Sequence, residues 1–340
     1  MKMEGAGAAG RTDRARGCLA GQLAGDTLGS LVEIESAGAV ERRYPGGPRL
    51  LLDGGTWDTI AGQPTDDSEL ALALARALAR LGRYEEEAAA RAYAEWYASG
   101  PFDVGGTIAT ALSAAAAARR GADASSAARA AANAGSQANG ALMRISPLGI
   151  LGARLEPAEL AGWARADARL THPHEVCQEA NVVYTGAIAF AIRSGAPRER
   201  VYAHAVETLR AQGGGDTVLQ WLQEAESRAP EACDGKNQGW VRIALQNAFY
   251  RLLHAGSLEE AVVDTARRGG DADTNGAIAG ALAGAAWGLR EVPRQWLQCL
   301  LECRPEKGRA KVRRPRPPEY WPVDFAELAV QLAEGGGHSC

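Results

Sequence analysis

Two short acidic clusters stand out by residue type and spacing, Thr65-Asp66-Asp67-Ser68 and Asp271-Ala272-Asp273-Thr274. Each sets two carboxylates beside a hydroxyl. Oxygen donors of this kind suit hard divalent cations such as Mg²⁺, Mn²⁺ or Ca²⁺. Four aspartates would over-neutralise one such ion but balance two, and two ions about 3.5–4 Å apart form a known catalytic arrangement. Each cluster also has a plainer use. Acids at the start of a helix cap it and suit its dipole, and Leu70, Leu74, Leu78 and Leu81 follow the first cluster at helical spacing. The repetition of a threonine with paired aspartates favours the cation over two unrelated caps. Asp26 and Glu33 add further acids upstream; for Asp26 a bracing role inside the fold is the stronger expectation.

The elements that would position these acids are legible from glycine. Glycines recur at 17, 21, 25 and 29 and again at 276, 280, 284 and 288. Each glycine inside a helix costs about 1 kcal/mol relative to alanine, so two such ladders need a compensating reason. Positions four apart share one helical face, and a face without side chains lets a second helix approach closer than the usual 8–10 Å or so. The two ladders therefore predict a pair of close-packed central helices. Ala-rich stretches at 71–79, 111–118 and 127–134 also favour helix. Val241, Leu245, Phe249 and Leu252 keep the same period, while Pro157, Pro197 and Pro293 stand where helices could start. No alternating β-branched run bounded by turns is present. The pattern predicts an all-α fold of ten or more helices.

The 340 residues, 46% hydrophobic and 23% charged, suffice for a full core without staples. No apolar run reaches the roughly 18–20 residues of a membrane span, and residues 1–16 lack the apolar core of a secretory signal. They are expected to be a disordered N-terminal segment ahead of one domain over 17–335. The six cysteines form no CxxC pair, which reads as reduced thiols in a cytoplasm. Ser36–Pro64, with six glycines and three prolines, reads as a long loop. Residues 304–316 hold seven Lys/Arg and one Glu, a net +6, without an aromatic. That segment reads as a solvated basic connector before a last helix near Phe325–Leu332. With a net charge of −4 for the chain, nothing points to a nucleic-acid or membrane partner.

Six segments in order carry a resemblance: Gly17–Gly29 with Glu33, Thr65-Asp66-Asp67-Ser68, Gly100-Pro101-Phe102-Asp103-Val104-Gly105, Asn139-Gly140-Ala141-Leu142-Met143-Arg144, Thr171-His172, and Gly269-Gly270-Asp271-Ala272-Asp273-Thr274. Over about residues 17–290 the chain resembles the ADP-ribosylglycohydrolase family, which includes ADP-ribosylarginine hydrolases and dinitrogenase reductase-activating glycohydrolase. The resemblance implies a compact multi-helix orthogonal bundle with a binuclear Mg²⁺ or Mn²⁺ centre, hydrolysing the N- or O-glycosidic bond of ADP-ribose. By position it implies Thr65, Asp66, Asp67, Asp271, Asp273 and Thr274 as metal ligands. Glu33 matches an acid beside the metal site, and Asp103 one proposed as a base in arginine-directed members. Asn139, Gly140, Met143 and Arg144 match the segment lining the ADP-ribose cleft, His172 a cleft histidine, and Trp240, more loosely, an aromatic near the ligand. Gln63-Pro64 and Ala138 depart from the commonest pattern without removing a ligand.

Plainer roles stand beside these. His172 and His174 form an HxH pair, yet no Cys or His partner is near in sequence, so hydrogen bonding is the expectation over metal binding. Arg144 could bridge the core, Trp240 could be ordinary core, and Asp103 could cap its loop. The function expected is metal-assisted hydrolysis of ADP-ribose from a protein side chain, most readily arginine, releasing ADP-ribose, with Glu33 or Asp103 moving the proton. The alternatives keep the fold and change the substrate to ADP-ribosylserine, O-acetyl-ADP-ribose, a nucleoside or ADP-ribosylated nucleic acid, or replace catalysis with an antitoxin that plugs an ADP-ribosyltransferase.

Overall fold

A computed structural model describes residues 7–118 and 123–335. Its α-helices are Ala8–Gly29 (α1), Ala37–Arg43 (α2), Asp66–Leu81 (α3), Glu86–Ala98 (α4), Gly106–Ala117 (α5), Ala124–Ala131 (α6), Ser146–Gly152 (α7), Pro157–Arg169 (α8), Glu175–Ser194 (α9), Arg198–Ala211 (α10), Asp216–Ser227 (α11), Val241–His254 (α12), Leu258–Ala266 (α13), Ala272–Trp287 (α14), Arg294–Glu302 (α15) and Phe325–Glu334 (α16). Among the described residues there is no strand, only isolated bridges such as Ala138 with Trp240. The fold is all-α, as the periodicity predicts. Pro157 opens α8, and Pro197 and Pro293 stand immediately before α10 and α15. No helix among the described residues is long and apolar enough to cross a membrane.

The centre is the antiparallel pair α1 and α14, buried on nearly every side over most of their length. A helix apolar all round belongs in a core, as α14 does beyond Asn275; α1 approaches this from Gly17 onward, where Gln22, Asp26 and Thr27 are its polar side chains. The glycine registers explain how two such helices fit. A Cβ on Gly17 would lie 2.5 Å from Gly284 O, and those on Gly21 and Gly25 would fall closer still to Gly280 O and Gly276 O. Side chains are excluded from this seam, so the backbones meet. The seam ends where Gly29 faces Ala272 and Asp273. That last contact sets the C-terminal end of α1, which leads into Glu33, against the first turn of α14, which carries the second acidic cluster. Gly288 departs from the expected ladder. It lies one residue past α14 at φ +91° and ends the helix.

Three further expectations need correction. The first helix begins at Ala8, so residues 8–16 are its opening turns and not a disordered segment; residues 1–6 lie outside the described residues. Ala15 is fully buried, and this packing recruits an N-terminal stretch that composition alone gave no reason to order. The stretch Ser36–Pro64 contains α2, capped by the Ser36 hydroxyl accepting from the Ala39 N–H, before it becomes irregular. The basic connector is not merely solvated. Arg316 is buried and ion-paired with Glu69 of α3 at 2.8 Å. It also donates to Ser99 O and Oγ, four residues before Asp103. Lys311 pairs with Asp53, and Arg314 Nε donates to Trp57 O. The segment straps the loops that bear the acids.

Candidate active site

The N-terminus of α3 shows how the first cluster is held. Its exposed N–H groups need acceptors, and Thr65 does not supply one from its own side chain. Asp26, projecting from α1, accepts from the N–H groups of Thr65 and Ser68 at 3.1–3.2 Å and from the Thr65 hydroxyl at 2.9 Å. Asp26 is therefore the brace, and its carboxylate has no free edge for a ligand. With Asp26 occupying the cap, Asp66 and Asp67 are left available. Thr65 Oγ1 also stands 3.0 Å from Asp67 Oδ2, while Asp67 Oδ1 is buried without a hydrogen-bond partner.

The second cluster is threaded by Gly269 and Gly270, both in the left-handed region at φ +63° and +60°. A Cβ on either would strike the carbonyl of Glu35 or Cys233, so only glycine passes here. Gly270 N–H donates to Glu35 O, and Ile34 N–H returns to Gly270 O at 2.7 Å. Ile34 is held at φ +69° and is 64% exposed. A β-branched residue in this region is strained, and the strain lies one residue from Glu33. Trp57 Nε1 donates to Glu33 Oε2 at 2.5 Å. Composition gave no sign of this partner, although an indole in a glycine-rich loop was the available signal.

These elements converge on a cleft of about 280 Å³. Glu33, Asp66, Asp103, Asp271, Asp273 and Thr274 line its acidic end. Asn139, Gly140, Met143 and His172 form another part of the wall, and Ile108, from the Gly105–Ile108 stretch that also lines the cleft, packs beside Gly140. Oxygens of Glu33, Asp103 and Asp273 lie within 4.8 Å of one another. Asn139 Nδ2 donates to Asp271 Oδ2 at 2.6 Å, tying the ligand-wall segment to the acids. A larger depression of about 580 Å³ at the start of α1, lined by Arg11, Arg154 and Glu334, contains none of these residues.

Four of the residues singled out by sequence do not line the cleft. Thr65 and Asp67 are fully buried beside Asp66, which does line it. Trp240 sits on an adjoining depression that shares Ala138 and Gly239 with the cleft. Its Nε1 donates to Gln137 Oε1, and its ring stands edge-on to Trp221. Arg144 is fully buried in an ion pair with Asp167 at 3.1 Å. Its guanidinium covers Tyr93 at 4.4 Å, so it bridges the core instead of lining the cleft. His172 and His174 do not converge on an ion: His174 caps α9 and meets Gln137.

The electrostatics follow from crowding. No lysine or arginine lines the cleft. Burial, and then the neighbouring Asp103, push Glu33 up to about 7. Burial raises Asp103 to about 6, with Asp271 adding to it, and raises Asp271 to about 6. Asp66, Asp67 and Asp273 are raised well above the usual carboxylate range by burial first and then by a neighbouring acid, Asp103 for Asp66, Asp26 for Asp67 and Glu33 for Asp273. Facing carboxylates without a protein cation, one of them with an orphaned buried oxygen, fit hard divalent ions bound by oxygen.

Comparison with known proteins gives this geometry a context. The family profile for ADP-ribosylglycohydrolase matches residues 8–334. The chain belongs to the ADP-ribosylglycohydrolase family. It is 30% identical over 294 residues to ADP-ribosyl-[dinitrogen reductase] glycohydrolase of Rhodospirillum rubrum, covering 85% of this chain and 90% of that protein. It is 25% identical to ADP-ribosylarginine hydrolase Tri1 of Pseudomonas putida, covering 84% and 74%. To human ADP-ribosylhydrolase ARH3 it is 26% identical, covering 86% and 90%. A solved ADP-ribosylglycohydrolase-related protein complex superposes with a TM-score of 0.74 at 28% identity, covering 96% of this chain and 99% of that one. As a family member the chain is an ADP-ribosylglycohydrolase in fold and class, and the cleft gathers residues from all six of its matching segments.

Proposed function

We propose that the protein is a divalent-metal-dependent hydrolase that removes ADP-ribose from arginine side chains of modified proteins. The observation that carries the reading is the convergence of Glu33, Asp66, Asp103, Asp271 and Asp273 on one cleft that no lysine or arginine lines. Asp66, Asp67, Asp271 and Asp273, with the hydroxyls of Thr65 and Thr274, would hold two Mg²⁺ or Mn²⁺ ions. Bound there, the ions would polarise oxygens of ligand and water and neutralise the crowded carboxylates. Asn139, Gly140, Met143 and His172 would hold the ADP-ribosyl group along the cleft wall.

Glu33 and Asp103 would handle the proton. A carboxyl raised toward neutrality can both give and take a proton at working pH, and Trp57 fixes Glu33 in place. Asp103 offers the leaving group a charge-assisted partner: a guanidinium can pair with a carboxylate in a way that a serine hydroxyl cannot. Similarity to an arginine hydrolase and to a dinitrogen reductase glycohydrolase supports this choice. Similarity to ARH3 keeps another ADP-ribosyl linkage as the second reading. The intact acid set favours catalysis over a binding-only antitoxin.

Peptides carrying ADP-ribose on arginine or on serine separate the readings. The wild type should release ADP-ribose from the arginine peptide preferentially. Asp103→Ala should cut that turnover at least about 100-fold, the lower range for a general acid–base group, while ADP-ribose still binds. Equal turnover by wild type and folded Asp103→Ala would remove Asp103 from catalysis, and preference for the serine peptide would select the second reading.

A further inference from the structure

Arg144 and Thr171 sit behind the cleft wall and form a directed chain toward His172. The Arg144 guanidinium is fully buried, with Nε donating to Asp167 Oδ1 at 3.1 Å and Nη2 to Asp167 O at 3.0 Å. Tyr93 donates its hydroxyl to the second Asp167 oxygen at 2.8 Å. The remaining guanidinium nitrogen, Nη1, donates to Thr171 Oγ1 at 2.9 Å. Thr171 Oγ1 then stands 2.8 Å from His172 Nδ1.

The hydrogens in this chain can be assigned by elimination. A guanidinium only donates, so Thr171 Oγ1 accepts from Arg144. The threonine hydroxyl has one hydrogen, and Thr171 is fully buried. Among the described residues its other polar neighbour is His172 Nδ1. If Nδ1 carried a proton, two hydrogens would face each other and the hydroxyl would lack an acceptor, at a cost of about 1–3 kcal/mol. Nδ1 is therefore the acceptor, and in the neutral ring the proton is on Nε2. Burial, with the Arg144 charge behind it, pushes His172 down to about 3, which keeps the ring neutral. Nε2 is buried and has no hydrogen-bond partner in the protein. The ring belongs to the cleft wall. Gly140 keeps it there: a Cβ on Gly140 would lie 2.9 Å from His172 Cε1.

We propose that Arg144 and Thr171 are positioning residues that lock His172 as the neutral Nε2–H tautomer, presenting a fixed hydrogen-bond donor to an acceptor oxygen of the cleft ligand. The acceptor class is a phosphate or sugar oxygen, and that identity alone rests on the function proposed above. A neutral donor suits this place because it recognises an oxygen without adding a charge that would compete with divalent cations for the carboxylates. Arg144, although it does not line the cleft, thus acts on it through a neighbour.

Nitrogen-15 NMR of histidine-labelled protein tests the lock directly. His172 can be assigned among the five histidines by its loss in His172→Gln. The free wild type should show the neutral Nε2–H pattern for this ring, unchanged between about pH 5.5 and 8. Thr171→Val keeps the side-chain size and removes the hydroxyl. It should yield a tautomer mixture and weaken ADP-ribose binding about tenfold, the scale of one hydrogen bond to a charged group. Thr171→Ser should restore both. An Nδ1–H pattern in the wild type would overturn the proposal even if no variant folds. So would a folded Thr171→Val that keeps the Nε2–H pattern and wild-type affinity. A wild type with the Nε2–H pattern, lost in Thr171→Val, that bound no ADP-ribose would support the lock and count against the substrate reading alone.

Discussion

Glu33 depends on its neighbours at close range. It follows the seam of glycines, precedes a strained Ile34, and accepts from Trp57. Ile34 is exposed, so replacing it loses little burial. Asparagine tolerates positive φ far better than a β-branched residue. Ile34→Asn should therefore raise stability by about 1 kcal/mol, the lower end of the strain stored at such a residue, as read by urea denaturation. A loss of stability would show that Ile34 contributes packing that its exposure does not reveal. The acids themselves were legible because carboxylates beside hydroxyls limit the chemistry available. Side-chain direction was not legible. Met143 and Arg144 are adjacent in one motif, yet one lines the cleft and the other turns into the core to meet Asp167. Trp57 escaped notice because its partner is 24 positions away in a loop, where no periodicity links them.

At the scale of elements, the α1–α14 seam positions half of the site. Gly280→Ala would place a Cβ against the backbone carbonyl of Gly21, and a backbone cannot step aside as a side chain can. Overpacking costs about 1–3 kcal/mol or more, and here it would also push Glu33 away from Asp273. We expect a large fall in the unfolding midpoint and weaker divalent-cation binding in whatever folds. Wild-type values for both would contradict the seam. This pairing was legible because a four-residue glycine period has a direct spatial meaning. The connector over residues 304–316 was not. Of its seven basic residues, composition cannot distinguish Arg316, which neutralises buried Glu69 below the acidic loop, from those left in solvent. The early start of α1 was hidden for a related reason: the partners that bury Ala15 come from far along the chain.

For the molecule as a whole, gathering buried carboxylates in one cleft costs stability where they ionise. Glu33, Asp103 and Asp271, together with Asp26 behind them, have folded-state pKa values raised to about 6–7. Between about pH 4 and 7 the folded state then holds more protons than the unfolded chain, whose carboxyls titrate near about 4. Stability from these groups is present below that window and is lost as pH rises through it. His172, pushed down to about 3, and His204, also lowered by burial, oppose this below the unfolded histidine pKa of about 6.5, but the raised carboxyls, with Asp66, Asp67 and Asp273 among them, outnumber them. The chelated protein should melt at a higher temperature near pH 5 than near pH 7.5. Mg²⁺ should restore stability chiefly at the higher pH, where the carboxylates are ionised. A chelated protein that gains stability steadily over that range, with no response to Mg²⁺, would contradict the electrostatic account.

The most direct measurement is the rate of ADP-ribose release from an ADP-ribosylarginine peptide. It should be followed with wild type and Asp273→Asn, after chelation and after Mg²⁺ or Mn²⁺ is restored. The account predicts rapid release by the metal-loaded wild type, near-complete loss on chelation, and recovery when the ion returns. Asp273→Asn should fold but recover little at the same ion concentration. Equal release with and without chelator, or full activity of Asp273→Asn, would contradict a cation-dependent hydrolase built on these acids.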